Sequence, residues 1–166
     1  MVVTRLNSVR IRRATQGDLE GICRIEDDSF TEPYPHNLLA KLLRDCPDNF
    51  FVAEATPRNL VGYCVASQDG NIAHLISIGV LREYRRRGVG TELTQALIGS
   101  LGSAVGELRL EVKQGNTEAI QLYEGLGFRQ VNFIENYYGD GSPALKMWLT
   151  LNGKFRRIEA PGRKAG

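Results

Sequence analysis

Arg85-Arg86-Arg87-Gly88-Val89-Gly90-Thr91 is the run that decides the fold, together with Asn116-Thr117-Glu118-Ala119-Ile120-Gln121-Leu122-Tyr123-Glu124-Gly125-Leu126-Gly127-Phe128 further along. The first run joins the apolar stretch Ile72 to Val80 to a segment with Leu93, Leu97 and Leu101 at every fourth position. It therefore reads as a strand-to-helix loop. Its two glycines let the backbone turn sharply and approach a ligand closely. The first N–H groups of the helix that follows lack partners, and the helix dipole favours an anion beside them. A pyrophosphate suits that position, with arginine charge at hand. Two other phosphate loops are excluded: no GxxxxGK[ST] is present, and only Gly88 and Gly90 fit a GxGxxG fingerprint. Alone, a basic loop with two glycines is equally a plain turn.

Outward from this loop the period of the apolar residues alternates between two and about four. Val9-Arg10-Ile11-Arg12 predicts a first strand. Thr15 and Asp18 resemble a capping box that opens a helix with a Leu19, Ile22, Ile25 stripe. Ser29 to Pro35, with two prolines, predicts a loop, and Leu38, Leu39, Leu42 and Leu43 a second short helix. Phe50 to Ala53 and Leu60 to Val65 predict strands, and Asp69-Gly70-Asn71 a hairpin turn into Ile72 to Val80. Glu83 to Gly90 is expected as loop, Leu108 to Val112 as strand and Asn116 to Glu124 as a helix stopped by Gly125 and Gly127. Two last strands are expected near Phe128–Ile134 and Ala144–Leu151. A strand run followed by βαβ crossings predicts an α+β fold, a mixed and mostly antiparallel sheet with helices on both faces.

Taken together, the two runs carry a resemblance. Arg85-x-x-Gly88-x-Gly90 and the ungapped N-x-x-A-x-x-L-Y-x-x-x-G-F of residues 116–128 resemble the signatures of the GNAT superfamily of acyl-CoA-dependent N-acyltransferases. Glu32-Pro33-Tyr34-Pro35, His74 to Val80, Leu110-Glu111-Val112 and Tyr137-Tyr138-Gly139-Asp140-Gly141 are similar to ENYP, HxxSIAV, LEV and YYxDG. Through those four segments the chain resembles the archaeal branch of RimI-like protein N-terminal acetyltransferases, related to the catalytic subunit of the eukaryotic NatA complex. Pro33 for Asn, Gly79 for Ala and Gly115 for Ser are departures. The resemblance covers roughly residues 9–150 and implies the GNAT fold, with residues 1–151 a single acetyltransferase domain.

It further implies acetyl-coenzyme A as co-substrate and direct transfer to an N-terminal α-amine of a protein or peptide. Ile78, Gly79 and Val80 would present backbone groups to the acetyl-pantetheine arm. Glycine at 79 suits a close backbone approach. Arg86, Arg87, Gly88, Val89, Gly90 and Thr91 would receive the pyrophosphate. Asn116 would contact the coenzyme, although asparagine at a helix start is equally an N-cap. Tyr123 would be the general acid; Ala119, Tyr123 and Leu126 also share a helix face on which it could simply pack. His74 and Glu111 would hold a water as base. No metal is required, though the same pair would accept one. Structural alternatives are a strand-end histidine and a surface ion pair for Glu111, which strand parity sets opposite Leu108, Leu110 and Val112. Glu32 and Tyr34 in one loop and Tyr137 and Tyr138 in a hairpin would read the peptide, or form rigid turns. Transfer to lysine side chains or a small amine, and a noncatalytic acyl-CoA-binding subunit, are the competing functions.

Of 166 residues, 42% are apolar and 24% charged, the balance of a soluble globular chain. No apolar run reaches the roughly 20 residues of a membrane span, and Met1 to Asn7 lacks a signal-peptide core, so a cytoplasmic protein without a membrane partner is expected. The net charge of +2 is uneven. Residues 152–166 hold five Lys/Arg against Glu159, leaving the rest with 16 basic and 18 acidic side chains. The body is thus no specific nucleic-acid surface, and the end reads as a flexible basic tail with ribosome or nascent-chain contact as its candidate role. Cys23, Cys46 and Cys64 form no CxxC pair and are expected as buried, inert thiols.

Overall fold

Alternation along the strands sorts the side chains of this fold, as a computed structural model of the protein describes for residues 8–151. The expected basic tail, 152–166, lies outside the described residues. The elements are β1 (Arg10–Arg13), α1 (Leu19–Ser29), α2 (His36–Asp45), β2 (Phe50–Thr56), β3 (Asn59–Asp69) and β4 (Ile72–Val80). Then come α3 (Val89–Ser100), β5 (Glu107–Lys113), α4 (Thr117–Gly125), β6 (Arg129–Ile134) and β7 (Ala144–Thr150). This is the expected order, and the strands follow β1-β2-β3-β4-β5-β7-β6 in the sheet. β4 runs parallel to β5 from Ile72 to His74; β1 with β2, β2 with β3, β5 with β7 and β6 with β7 are antiparallel. No helix among the described residues is long and apolar enough to cross a membrane.

The chain divides into two compact units. Among the described residues, one holds 8–66 and Ile76–Ser100, and the other Ser67–Leu75 and 101–151. In the first unit, Ile22 and Ile25 of α1 and Leu39 and Leu43 of α2 are buried against Phe50, Val52, Tyr63 and Val65. Gly62 and Cys64 have the opposite parity and meet α3: a Cβ on Gly62 would lie 3.1 Å from Leu93, and the Cys64 thiol donates to the Leu93 carbonyl at 3.5 Å. Helices therefore cover both faces of this unit. The Thr15–Asp18 capping box is present, the Asp18 carboxylate accepting from the Thr15 N–H at 2.8 Å. Asp18 also takes two bonds from the Arg12 guanidinium, at 2.8 and 2.9 Å.

In the second unit Leu108, Leu110 and Val112 of β5 lie opposite Leu149, Met147 and Leu145 of β7, and all six are buried. Strands β2 and β3 run further than expected, to Thr56 and Asp69, and two helix boundaries also differ from expectation. Helix α3 starts at Val89, inside the expected loop, because Gly88 at φ +82° already makes the turn. Helix α4 runs through Gly125 and stops before Gly127, whose φ of +100° takes the left-handed region.

Ile25 is fully buried within this core cluster, so Ile25→Ala leaves a cavity as well as losing apolar burial. The unfolding free energy should fall by about 3 kcal/mol, read as a lower urea midpoint with an unchanged slope.

Candidate active site

Three arginines and Gly88 do different work between β4 and α3. The Arg85 Nε donates to the Val80 carbonyl at 3.0 Å, tying the loop to the end of β4. Arg87 lies over the Tyr84 ring, 5.2 Å from its centre. Arg86 at φ +62° and Gly88 at φ +82° both take left-handed backbone, and for arginine that conformation is strained. The first intrahelical bond of α3 runs from the Glu92 N–H to the Gly88 carbonyl at 3.0 Å. The N–H groups of Val89, Gly90 and Thr91 precede it and carry the positive end of the helix dipole. Alternating left-handed residues feeding a helix start form a concave set of donors that fits a phosphate.

Immediately before the loop, the side of Gly79 on which a side chain would stand is filled. A Cβ there would lie 3.1 Å from Tyr63 Cε1 and 3.2 Å from both Ile25 Cγ2 and Ser29 Oγ. Helix α1 and β3 pack tightly against that side of the strand; Ile78 and Val80, half-buried, have the other parity. In the same unit Glu32 is exposed and Tyr34 is 37% exposed. The Tyr34 N–H donates to the Glu26 carboxyl at 3.4 Å.

The second unit brings His74 and Glu111 together. His74 Nε2 lies 2.5 Å from Glu111 Oε2, the pair bonded directly rather than across a water. With the proton on Nε2, the Nδ1 lone pair is the basic site. The side chains keep 42% and 20% of their exposure, so solvent reaches them. Glu111 faces away from the apolar side of β5, as parity requires, with Lys146 its cross-strand partner and Arg109 opposite His74.

The Tyr137 hydroxyl is pushed up by burial first and by the Glu111 charge second. Tyr137 and Tyr138 meet edge to face with ring centres 4.9 Å apart. Asp140 fastens their hairpin: it accepts from the Ser142 N–H at 2.9 Å, the Ser142 hydroxyl at 2.5 Å and Lys113 Nζ at 2.9 Å. Those Ser142 bonds, then Lys113, hold its carboxyl well below the usual range. Lys113 also sits 5.1 Å over the Tyr138 ring.

Tyr123 is 5% exposed and meets Phe128 edge to face at 5.5 Å. Asn116 is the N-cap of α4, its Oδ1 accepting from the Ala119 N–H at 3.2 Å. Cys23 and Cys64 are buried while Cys46 is only half-buried, which corrects the expectation of three buried thiols. Cys46 follows the end of α2, where the helix no longer shields it. Burial pushes all three thiols up, Cys64 to about 12. No cluster of three or more potential metal ligands occurs among the described residues. Sequence reasoning missed Glu26, Tyr63 and Ser77, a buried polar group with Glu26 and Ser77 2% and 8% exposed. The available signal was an acidic residue next to Ile25 and four after Ile22, on the helix stripe that the core covers.

The acetyltransferase (GNAT) family model matches residues 19–128. An N-alpha-acetyltransferase of Sulfurisphaera tokodaii is 34% identical over 156 residues, covering 86% of this chain and 93% of the relative. The crystal structure of Ard1 from Thermoplasma volcanium matches with a TM-score of 0.81 at 33% identity, over 86% of this chain and 97% of that one. The ribosomal-protein-S18-alanine N-acetyltransferase of Escherichia coli matches at 28% identity with a TM-score of 0.77, over 87% and 94%. The resemblance carried by the two motifs, and the fold class with it, is borne out.

Gly79→Ala tests the packing at β4. Overpacking costs about 1–3 kcal/mol and the stiffer unfolded chain returns under about 1 kcal/mol. The variant should therefore lose about 1 kcal/mol in urea unfolding.

Proposed function

The chain belongs to the GNAT acetyltransferase family, and from that premise we propose that it acetylates the N-terminal α-amine of proteins by direct attack in a ternary complex. The acetyl donor of this family is acetyl-coenzyme A. The substrate class is carried by one observation: a relative named N-alpha-acetyltransferase is 34% identical over nearly its whole length. The directly bonded His74–Glu111 pair supports the chemistry.

An α-amine has a pKa of about 7.7–8.0 against about 10.4 for lysine, so a weak base suffices to leave it neutral. His74, oriented by Glu111, takes the amine's proton through a water at Nδ1. The amine nitrogen then bonds to the thioester carbonyl carbon, and the carbon–sulfur bond breaks. Tyr123 gives its proton to the departing thiolate and regains one from solvent. Backbone N–H groups of Val89 to Thr91, with Arg86, Arg87 and Gly88 shaping the turn, bind the pyrophosphate. Ile78, Gly79 and Val80 offer main-chain groups to the acetyl-pantetheine arm, and Asn116 combines its cap with a coenzyme contact. Glu32, Tyr34, Tyr137 and Tyr138 read the peptide end, where small first residues such as Ser, Ala or Thr fit best. Residues 1–151 act as one acetyltransferase domain in the cytoplasm. The basic segment 152–166 supplies charge for anionic ribosomal surface near nascent chains.

Acetyl transfer to a peptide panel, read by mass spectrometry with sites assigned, should place the label on the α-amine of Ser-, Ala- or Thr-initiated peptides. Label confined to lysine side chains or to an added polyamine would overturn the substrate class while leaving the family untouched. Tyr123→Phe should lower kcat by about 10²-fold, within the range of general-acid catalysis, with coenzyme affinity within about twofold of wild type. Unchanged turnover would remove Tyr123 from the acid role.

A further inference from the structure

Glu26, Tyr63 and Ser77 form a polar chain inside the first unit that the transfer mechanism above does not use. Glu26 projects from α1 into the apolar core and is 2% exposed. The Tyr63 hydroxyl, on β3, donates to Glu26 Oε2 and lies 2.8 Å from Ser77 Oγ on β4. Glu26 Oε1 takes the N–H of Tyr34, in the loop between α1 and α2. One carboxyl group thus faces two donors on opposite oxygens, one from the loop and one from the strands. Ser77 immediately precedes the Ile78–Val80 segment. A buried carboxyl needs both oxygens satisfied, so three elements are held to one position by it.

We propose that Glu26 is a positioning residue that fixes the backbone of the peptide-reading loop at Tyr34 by bracing it, through Tyr63 and Ser77, against β4. The assignment of that loop to the peptide rests on the N-terminal acetyltransferase reading; the brace itself does not. Glu26 acts by reach and hydrogen-bond pattern, not by charge. Burial pushes its carboxyl up, opposed by the Tyr63 and Tyr34 bonds, so the geometry must serve a neutral carboxyl as well. A neutral group satisfies the same contacts by reversing the strand side. It accepts from the Tyr34 N–H, which cannot turn round, and donates to Tyr63, whose own proton swings to Ser77. Glutamine presents that same pattern: carbonyl toward Tyr34, amide N–H toward Tyr63. Aspartate keeps the charge but withdraws by about 1.5 Å, the length of one carbon–carbon bond, and cannot meet both partners.

Glu26→Gln and Glu26→Asp in the full chain therefore separate geometry from charge. Amide hydrogen exchange over residues 31–35 is read for both, with peptide KM, kcat and acetyl-coenzyme A affinity measured alongside. Glu26→Gln should exchange within about twofold of wild type. Glu26→Asp should exchange about tenfold faster at the loop, the size of one net hydrogen bond, with peptide KM raised by a similar factor. Its kcat should stay within about threefold and its coenzyme affinity within about twofold. Loop protection by Asp but not Gln would overturn the proposal in favour of a charge role, and unchanged exchange in both would overturn it outright. If the wild type accepts no N-terminal peptide, the substrate reading fails and loop exchange alone decides the brace.

Discussion

Side chains leave a strand on alternate sides, and the chemistry of the second unit depends on that constraint. Leu108, Leu110 and Val112 point one way along β5; Arg109, Glu111 and Lys113 point the other. Opposite them, β7 repeats the division with Leu149, Met147 and Leu145 on the apolar side and Trp148 and Lys146 on the polar side. A one-residue slip would bury three charges and expose three apolar side chains. The magnitudes show which face sets the register. Each buried Leu or Val contributes roughly 2 kcal/mol, whereas a solvent-exposed pair such as Lys113–Asp140 is screened by water and contributes little beside that. The apolar face fixes the register, and the position of Glu111 opposite Lys146 follows from it.

The first unit applies the same rule with helices on both sides, and there glycine resolves the crowding. At Gly62 an added Cβ would meet Leu93, the Gly79 carbonyl and Val89 between 3.1 and 3.3 Å. At Gly79 it would meet Tyr63, Ile25 and Ser29. Two helices pack close to neighbouring strands because these positions have no side chain. Two polar side chains in this interior come with partners: Tyr63 is held protonated by burial, then by Glu26, and the Thr94 hydroxyl donates to the Gly90 carbonyl at 2.8 Å. An unpartnered polar group there would cost more than its hydrogen bond is worth.

Much of this was legible because the deciding signals are local. The hydroxyl–carboxyl spacing of Thr15 and Asp18, the two-residue alternation of β5 and the fourfold spacing of Leu93 and Leu97 each reflect a geometry complete within a few residues. What stayed hidden depends on contacts far apart in sequence. Gly79 reads as an open approach until α1 and β3 are seen to occupy its side. Glu26 reads as the polar edge of an amphipathic helix until Tyr63, 37 residues away, is found on it. The His74–Glu111 bond likewise spans 37 residues; parity predicts that Glu111 faces away from the apolar layer, but not that histidine meets it directly. Helix boundaries at Gly88 and Gly127 were displaced for a simpler reason: composition marks a glycine, whereas only φ tells which glycine makes the turn.

The arginine run before α3 shows why a motif is more than its charge. Three consecutive guanidinium groups suggest an electrostatic trap, yet Arg85 donates to the Val80 carbonyl and Arg87 lies on Tyr84. Arg85 in particular answers a structural need: β4 ends at Val80 and α3 begins at Val89, so the intervening turn must be anchored for the helix start to be held in place. Arg86 then takes a left-handed conformation that most side chains avoid, and Gly88 repeats it. Strain at a non-glycine residue persists only where surrounding contacts enforce it, and the anchors on either side of Arg86 do so. What the loop offers an anion is therefore a set of main-chain N–H groups whose directions are fixed beforehand. Charge adds attraction at a distance, but salt screens it within about 10 Å. On the proposed function, backbone donors aimed in advance take the pyrophosphate, and the sequence secures them by placing one arginine to hold the turn and Gly88 to bend it.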